Sequence, residues 1–185
     1  MRKKTPAHFI LNALRHHPDS AGIVLDQGGW VDTNLLLEAI LKNYPAYSME
    51  QLKEEILQNE RYSFFDDSCQ KVRADYGHSC GLKLENLFSS SSVPPAVLYH
   101  GTERQARDSI LGSGIHRQKR DHVFLTDNLD VAMKKALRRH TPPAIIVVDA
   151  KKMEADGYLF YHVKNDIWLT YDVPKEYILD VKYFI

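Results

Sequence analysis

Two neighbouring side chains, Arg15 and His16, join a rigid fork of N–H donors to the one side chain that titrates near neutral pH. They lie in the run Leu14-Arg15-His16-His17-Pro18, followed shortly by Gly22-Ile23 and Gly28-Gly29-Trp30-Val31. Such a pair suits anion chemistry: arginine matches the paired oxygens of a phosphate or carboxylate, and histidine can donate to them or move a proton. Cations also favour helix C-termini for the dipole alone, so the pair by itself leaves both readings open. Further residues of this kind stand at the ends of predicted elements. They are Arg61, the run Arg73-Ala74-Asp75-Tyr76-Gly77-His78-Ser79, the tripeptide His100-Gly101-Thr102, Arg120-Asp121-His122, and Asn165-Asp166-Ile167-Trp168-Leu169-Thr170.

Several other chemistries are excluded. Gly112-Ser113-Gly114 lacks the third glycine and the strand-turn-helix setting of a dinucleotide fingerprint, and neither a phosphate-binding Walker loop nor a Gly-x-Ser-x-Gly elbow occurs. The 9 histidines include no pair spaced for a zinc helix, so no metal is expected. Cys69 and Cys80 are too few for a disulfide framework. The 24 basic residues balance 24 acidic ones over 185 residues, so any nucleic acid must be held by a few placed arginines rather than by bulk charge. No apolar run is long enough for a membrane span and the start Met1-Arg2-Lys3-Lys4 leads into no signal segment; a soluble, cytoplasmic monomer is expected.

The elements that must position these residues can be read in order. Thr5-Pro6 marks a helix start, and Phe9, Ile10, Ala13 and Leu14 form its inward stripe, leaving Arg15 and His16 on a neighbouring face before Pro18 stops the helix. Ile23-Val24-Leu25 is a strand candidate. Asp32 caps a second helix carrying Leu35, Leu36, Ala39 and Ile40, and Ser48 with Gln51 has capping-box spacing before a third. Tyr62–Phe65 and Lys71–Ala74, joined by Asp66-Asp67-Ser68, read as a hairpin. Three helices and a hairpin are the element order of a winged-helix module. Residues 89–95, four serines and then Val93-Pro94-Pro95, have linker composition, which gives lobes at 1–88 and 96–185. In the second, strands are predicted at Ala96–Tyr99, His122–Leu125, Ala144–Val148, Trp168–Thr170 and Tyr177–Val181, with helices at Glu103–Leu111 and Thr126–Arg139. The fold class is α+β.

Taken together and in this order, the motifs Leu14-Arg15-His16, Gly22-Ile23, Gly29-Trp30, Arg73-Ala74 with Gly77-His78-Ser79, Leu98-Tyr99-His100-Gly101-Thr102 and Trp168-Leu169-Thr170 resemble the NAD-dependent RNA 2'-phosphotransferases, which act on the splice-junction 2'-phosphate of tRNA. The resemblance implies an N-terminal winged-helix lobe that presents RNA and a C-terminal ADP-ribosyltransferase-like lobe that holds NAD. It implies a catalytic set of Arg15, His16, Arg61 and Arg120, the last two assigned by their places before predicted strands, with Arg73 and Arg117 as rivals. It further implies NAD contacts from His100, Gly101, Thr102, Phe124 and Arg139, and substrate contacts from Arg73, His78 and Ser79. Trp168 is either core or site lining, and Asn165 either a turn or a contact. At two positions the chain departs from the family's usual residues, with Tyr76 for glutamine and Phe124 for histidine.

By the same resemblance, a 2'-phosphate oxygen attacks the anomeric carbon of the nicotinamide ribose and nicotinamide leaves, giving an ADP-ribosylated RNA phosphate. The adjacent ribose hydroxyl then attacks phosphorus and expels the RNA 2'-oxygen. The products are 2'-OH RNA, nicotinamide and ADP-ribose 1'',2''-cyclic phosphate. Two alternatives share these residues: an ADP-ribosyltransferase that caps terminal phosphates of RNA or DNA, and a catalytically inactive winged-helix protein that binds nucleic acid.

Overall fold

The structure, a computed structural model, describes residues 5–138 and 140–184. It is mixed α and β with antiparallel sheets, and its contacts divide the chain into two compact units, Met1–Leu87 and Phe88–Ile185.

In the first unit, helix α1 (Pro6–Arg15) begins where the Thr5 hydroxyl accepts the His8 N–H and Pro6 stands at the first helical position. Pro18 does not merely end α1: it opens a short helix α2 (Pro18–Ala21), where a proline at N1 gives up no hydrogen bond. The Ile23–Leu25 segment forms no strand. Ile23 is buried but Val24 is 83% exposed, because the chain passes over the surface here with no neighbouring strand to pair it.

Strand β1 (Val31–Asp32) leads into α3 (Thr33–Leu41), whose first N–H groups are capped by Asp32. Helix α4 (Met49–Leu57) starts with the full reciprocal capping box of Ser48 and Gln51. Such caps contribute about 1 kcal/mol each and fix where helices begin. Strands β2 (Tyr62–Phe64) and β3 (Lys71–Ala74) form the hairpin, and β1 adds to the far side of β3 to make a three-stranded antiparallel sheet in the order β1-β3-β2. The core of the unit is Ile10, Leu14, Leu36, Ile40, Leu52 and Val72, all inaccessible to solvent. The unit closes with a short helix α5 (Leu84–Leu87).

The second unit is one six-stranded antiparallel sheet with helices packed on it. Strand β4 (Val97–Glu103) is followed by a 3-10 turn and α6 (Arg107–Ser113), then β5 (Val123–Thr126), α7 (Leu129–Leu137), β6 (Pro143–Asp149), α8 (Ala150–Ala155), β7 (Tyr161–Lys164), β8 (Ile167–Thr170) and β9 (Ile178–Tyr183). The strand order is β7-β8-β5-β4-β6-β9. Two sequence expectations are corrected here. His100-Gly101-Thr102 lies inside β4, paired through Ile146, Ile145 and Ala144 of β6, rather than at the strand's end. The helix expected from Glu103 starts only at Arg107, because Glu103 is still strand and residues 104–106 wind as a tighter 3-10 turn. Helix α7 packs on β4 and β6; the separate core of Leu98, Leu125, Ile146, Val148 and Phe160 also takes in Ile110 of α6 and Met153 of α8.

Candidate anion site

Arg15 occupies the last turn of α1 but not an exposed face. Only 7% of the residue is accessible, which corrects the expectation of a side chain beside the buried stripe. Its burial comes from the chain after β3, which folds back across the end of α1. There the Ser79 N–H donates to the Arg15 carbonyl at 2.8 Å, and Ser79 Oγ lies 2.8 Å from His16 Nδ1. The Tyr76 ring faces the guanidinium at 4.8 Å from the ring centre.

The guanidinium is unusual in what it lacks. Nε and Nη2 are both buried and have no hydrogen-bond partner among the described residues. These two nitrogens form one edge of the group, the edge that grips two oxygens of a phosphate side by side. Burial pushes the Arg15 pKa below its ordinary value; Tyr76 and Tyr62 pull it back up, and the positive charge of Arg61 adds to the depression. The chain after β3 links the three residues Arg15, His16 and Arg61 within the first unit, bonding the Arg61 carbonyl through the Asp75 N–H and meeting Arg15 and His16 through Ser79.

Arg61 is half-buried just before β2, its N–H donating to Asn59 Oδ1 at 3.2 Å and its carbonyl accepting from the Asp75 N–H at 2.9 Å. Arg73, the rival candidate, is committed elsewhere. Its Nη1 donates to the carbonyls of Gly28 at 3.2 Å and Leu87 at 2.9 Å, its Nε pairs with Asp75, and its guanidinium rests on the Trp30 ring at 4.5 Å. These contacts tie the segment before β1 to β3 and to the end of the unit. His78 is completely buried. A cavity of about 340 Å³ adjoins the site, lined in part by His16, His17, Asp19, Leu25 and Cys80.

The His16–Ser79 contact yields an expected outcome. Ser79→Ala removes one of the contacts that orient the His16 imidazole. Turnover then falls by roughly tenfold while stability changes by about 1 kcal/mol or less, checked by steady-state rates and denaturant melts of the same samples.

Tyr62, 4% exposed, has its phenol pKa pushed up to about 12, mainly by burial, with Arg15 opposing and Glu55 adding to the rise. The folded state therefore holds this proton more tightly than the unfolded chain, whose tyrosines titrate near 10. Stability from this group is complete below pH ~10 and is lost as pH rises through 12, on the order of 2 kcal/mol. Alkaline melts of wild type and Tyr62→Phe should diverge in that window, the phenylalanine variant losing less.

In the second unit, His100 Nδ1 lies 2.9 Å from the Phe124 carbonyl, an acceptor only, so Nδ1 carries a proton. Thr102 is buried. Gly101 is required by close packing: a Cβ there would stand 1.9 Å from the Ala132 carbonyl oxygen of α7. Lys135 Nζ sits 2.9 Å from the centre of the Phe124 ring, a cation the sequence reading did not single out because one lysine on an amphipathic helix carries no distinguishing signal. Arg117 is held by Asp172, with Nε at 3.2 Å, whereas Arg120 lies on an exposed turn. Trp168 is 7% exposed and donates from Nε1 to Asp127 at 3.0 Å, which suits core as much as lining. Asn165 takes the tight turn between β7 and β8 with φ 48. Arg139 lies outside the described residues. Among the described residues no three His, Cys, Asp or Glu side chains converge as a metal would need, and no helix is long and apolar enough to cross a membrane.

A family model described as RNA 2'-phosphotransferase, Tpt1 / KptA family, matches residues 2–172. The chain belongs to this family. Curated relatives agree over nearly their full lengths. A probable RNA 2'-phosphotransferase of Acaryochloris marina is 34% identical over 180 residues, covering 97% of both chains. One of Fusobacterium nucleatum is 37% identical over 172 residues, 92% of this chain and 94% of that one. One of Trichormus variabilis is 36% identical over 171 residues, 92% of each. Within this family, then, the chain holds a buried arginine edge that nothing among the described residues bonds.

Proposed function

We propose that the protein removes an internal 2'-phosphate from RNA, with NAD as co-substrate, and releases 2'-OH RNA, nicotinamide and ADP-ribose cyclic phosphate. The observation that carries this is the buried Nε/Nη2 edge of Arg15, which has no hydrogen-bond partner among the described residues. A buried cation without a partner costs several kcal/mol, and a dianionic phosphate is the ligand that offsets it with two charge-assisted hydrogen bonds. Family membership supplies the identity of that phosphate.

In this reading the first unit is a winged-helix lobe that presents RNA and the second an ADP-ribosyltransferase-like lobe. Arg15 and Arg61 bind and aim the phosphate and stabilise charge on its oxygens as phosphorus is attacked. His16, fixed by Ser79, donates to the same phosphate or moves its proton. NAD supplies a ribose carbon that accepts the phosphate as nicotinamide departs. The second unit's residues suit that co-substrate: His100 is oriented by the Phe124 carbonyl, Thr102 and Gly101 line the same strand, and Lys135 over Phe124 offers a cation to a diphosphate. Arg120, exposed on the turn before β5, is assigned a catalytic role by family resemblance.

The discriminating experiment supplies NAD with a 2'-phosphorylated oligoribonucleotide and, separately, with a 5'-phosphorylated one. The proposal expects loss of the internal 2'-phosphate and no lasting change to the 5'-phosphorylated strand. A stable ADP-ribosylated 5' end would point instead to a capping transferase. Binding without NAD consumption in either case would leave only a nucleic-acid-binding protein.

A further inference from the structure

The five residues after β3 touch each member of the first unit's anion site in turn. The Asp75 N–H donates to the Arg61 carbonyl at 2.9 Å. The Tyr76 ring faces the Arg15 guanidinium at 4.8 Å. Gly77, with φ +84, lies so close that a Cβ would stand 3.2 Å from Arg15 Nη1 and 3.3 Å from Cζ. Ser79 bonds the Arg15 carbonyl through its N–H and meets His16 Nδ1 through its Oγ, both at 2.8 Å.

We infer that residues 75–79 are a positioning strap for the anion site and that Tyr76 is its key: the ring holds the Arg15 guanidinium in place while leaving the Nε/Nη2 edge to the phosphate. The inference deepens the proposed function and rests on its assignment of Arg15 to the RNA phosphate. The choice of an aromatic has a physical reason. A carboxylate would steady the guanidinium equally well, but it would occupy the fork and neutralise the charge that the substrate needs. The ring attracts the cation, and whatever bond the Tyr76 side chain makes to the guanidinium leaves the Nε/Nη2 edge bare. Glycine at 77 serves the same end, since a side chain there would press on the guanidinium, and its positive φ is one that other residues adopt only with strain. Tyr76 is assigned its role through its contact with Arg15, as a positioning residue.

The test compares Tyr76→Leu with Tyr76→Phe in the full-length protein; Phe keeps the ring and Leu removes it. For a 2'-phosphorylated oligoribonucleotide with NAD, Tyr76→Leu should lose about tenfold in kcat/KM for the RNA with the KM for NAD unchanged, and Tyr76→Phe should stay within about twofold of wild type. An independent readout is the arginine Nε–H resonance of Arg15, identified by its absence in Arg15→Met. It should be sharp and slow to exchange in wild type and Tyr76→Phe, and broadened in Tyr76→Leu. Tyr76→Met repeats the comparison should the leucine variant melt early. A folded ring-less variant that keeps both the resonance and the rate overturns the strap. Should wild type remove no 2'-phosphate at all, the functional proposal fails, and the resonance alone still decides whether Tyr76 holds Arg15.

Discussion

Replacing Arg15 with methionine is expected to lower 2'-phosphate removal at least a hundredfold while leaving the melting temperature unchanged or raising it. Methionine fills much of the same volume, so packing against Tyr76 and Gly77 is largely kept. The charge, however, disappears from a site where 7% exposure and two unpartnered nitrogens make it expensive to fold. A residue that lowers stability where it stands and is needed for turnover marks a functional site. Nicotinamide release should survive better than loss of the 2'-phosphate, because charge builds on the phosphoryl oxygens chiefly when phosphorus is attacked. A variant that melts several degrees lower yet turns over within threefold of wild type would make Arg15 a structural cation instead. Parallel thermal melts and rate measurements on one preparation decide between them.

The second large effect is expected at Gly101→Ala. One added methyl would stand 1.9 Å from the Ala132 carbonyl oxygen, 2.9 Å from its carbon and 3.1 Å from the Ala136 nitrogen, all backbone of α7. Backbone inside a helix cannot swing aside as a side chain can, so α7 must lift from β4 as a body. Overpacking of this severity costs on the order of 3 kcal/mol or more, and a melting temperature lower by about ten degrees or more is the expected result. Because His100 and Thr102 flank Gly101 on β4, activity should fall with stability. A variant within a few degrees of wild type would show that α7 can shift freely. Serine at 101 should be at least as damaging as alanine.

Much of the local fold could be read from residues whose physics is local. Thr5-Pro6, Asp32 and the Ser48/Gln51 box announced three helix starts because capping is settled within a turn of chain. The hairpin of Tyr62–Phe64 and Lys71–Ala74 was equally legible from its β-rich strands and acidic turn. What failed depended on partners distant in sequence. Ile23-Val24-Leu25 has strand composition, but no strand lies beside it, and Val24 ends in solvent. The pairing of β1 to β3 joins Val31 to Val72, across a stretch that no period reveals. Helix α8 is six residues long with only Ala150 and Met153 buried, too short for an amphipathic pattern to register. Tyr161–Lys164 is a strand without an alternating pattern, since Tyr161 is its one buried residue.

The site divides the same way. Arg15 and His16 could be picked out by type and adjacency, and the ordered motifs fixed their family. Neither type nor spacing could show that Arg15 is buried with a bare edge, that Arg73 is tied to Gly28, Leu87 and Asp75, or that Arg117 is spent on Asp172. Those are facts of packing. They separate arginines that look alike in sequence into one poised for an anion and two already engaged.

The central claim is tested most directly by mass balance. An oligoribonucleotide carrying a single internal 2'-phosphate is incubated with the protein and NAD, and both the RNA and the small molecules are followed by mass spectrometry. The prediction is one nicotinamide released for each 2'-phosphate lost, with the phosphate recovered on ADP-ribose and the RNA strand intact. Persistence of the 2'-phosphate with NAD unconsumed, or its release as inorganic phosphate without NAD, would contradict it.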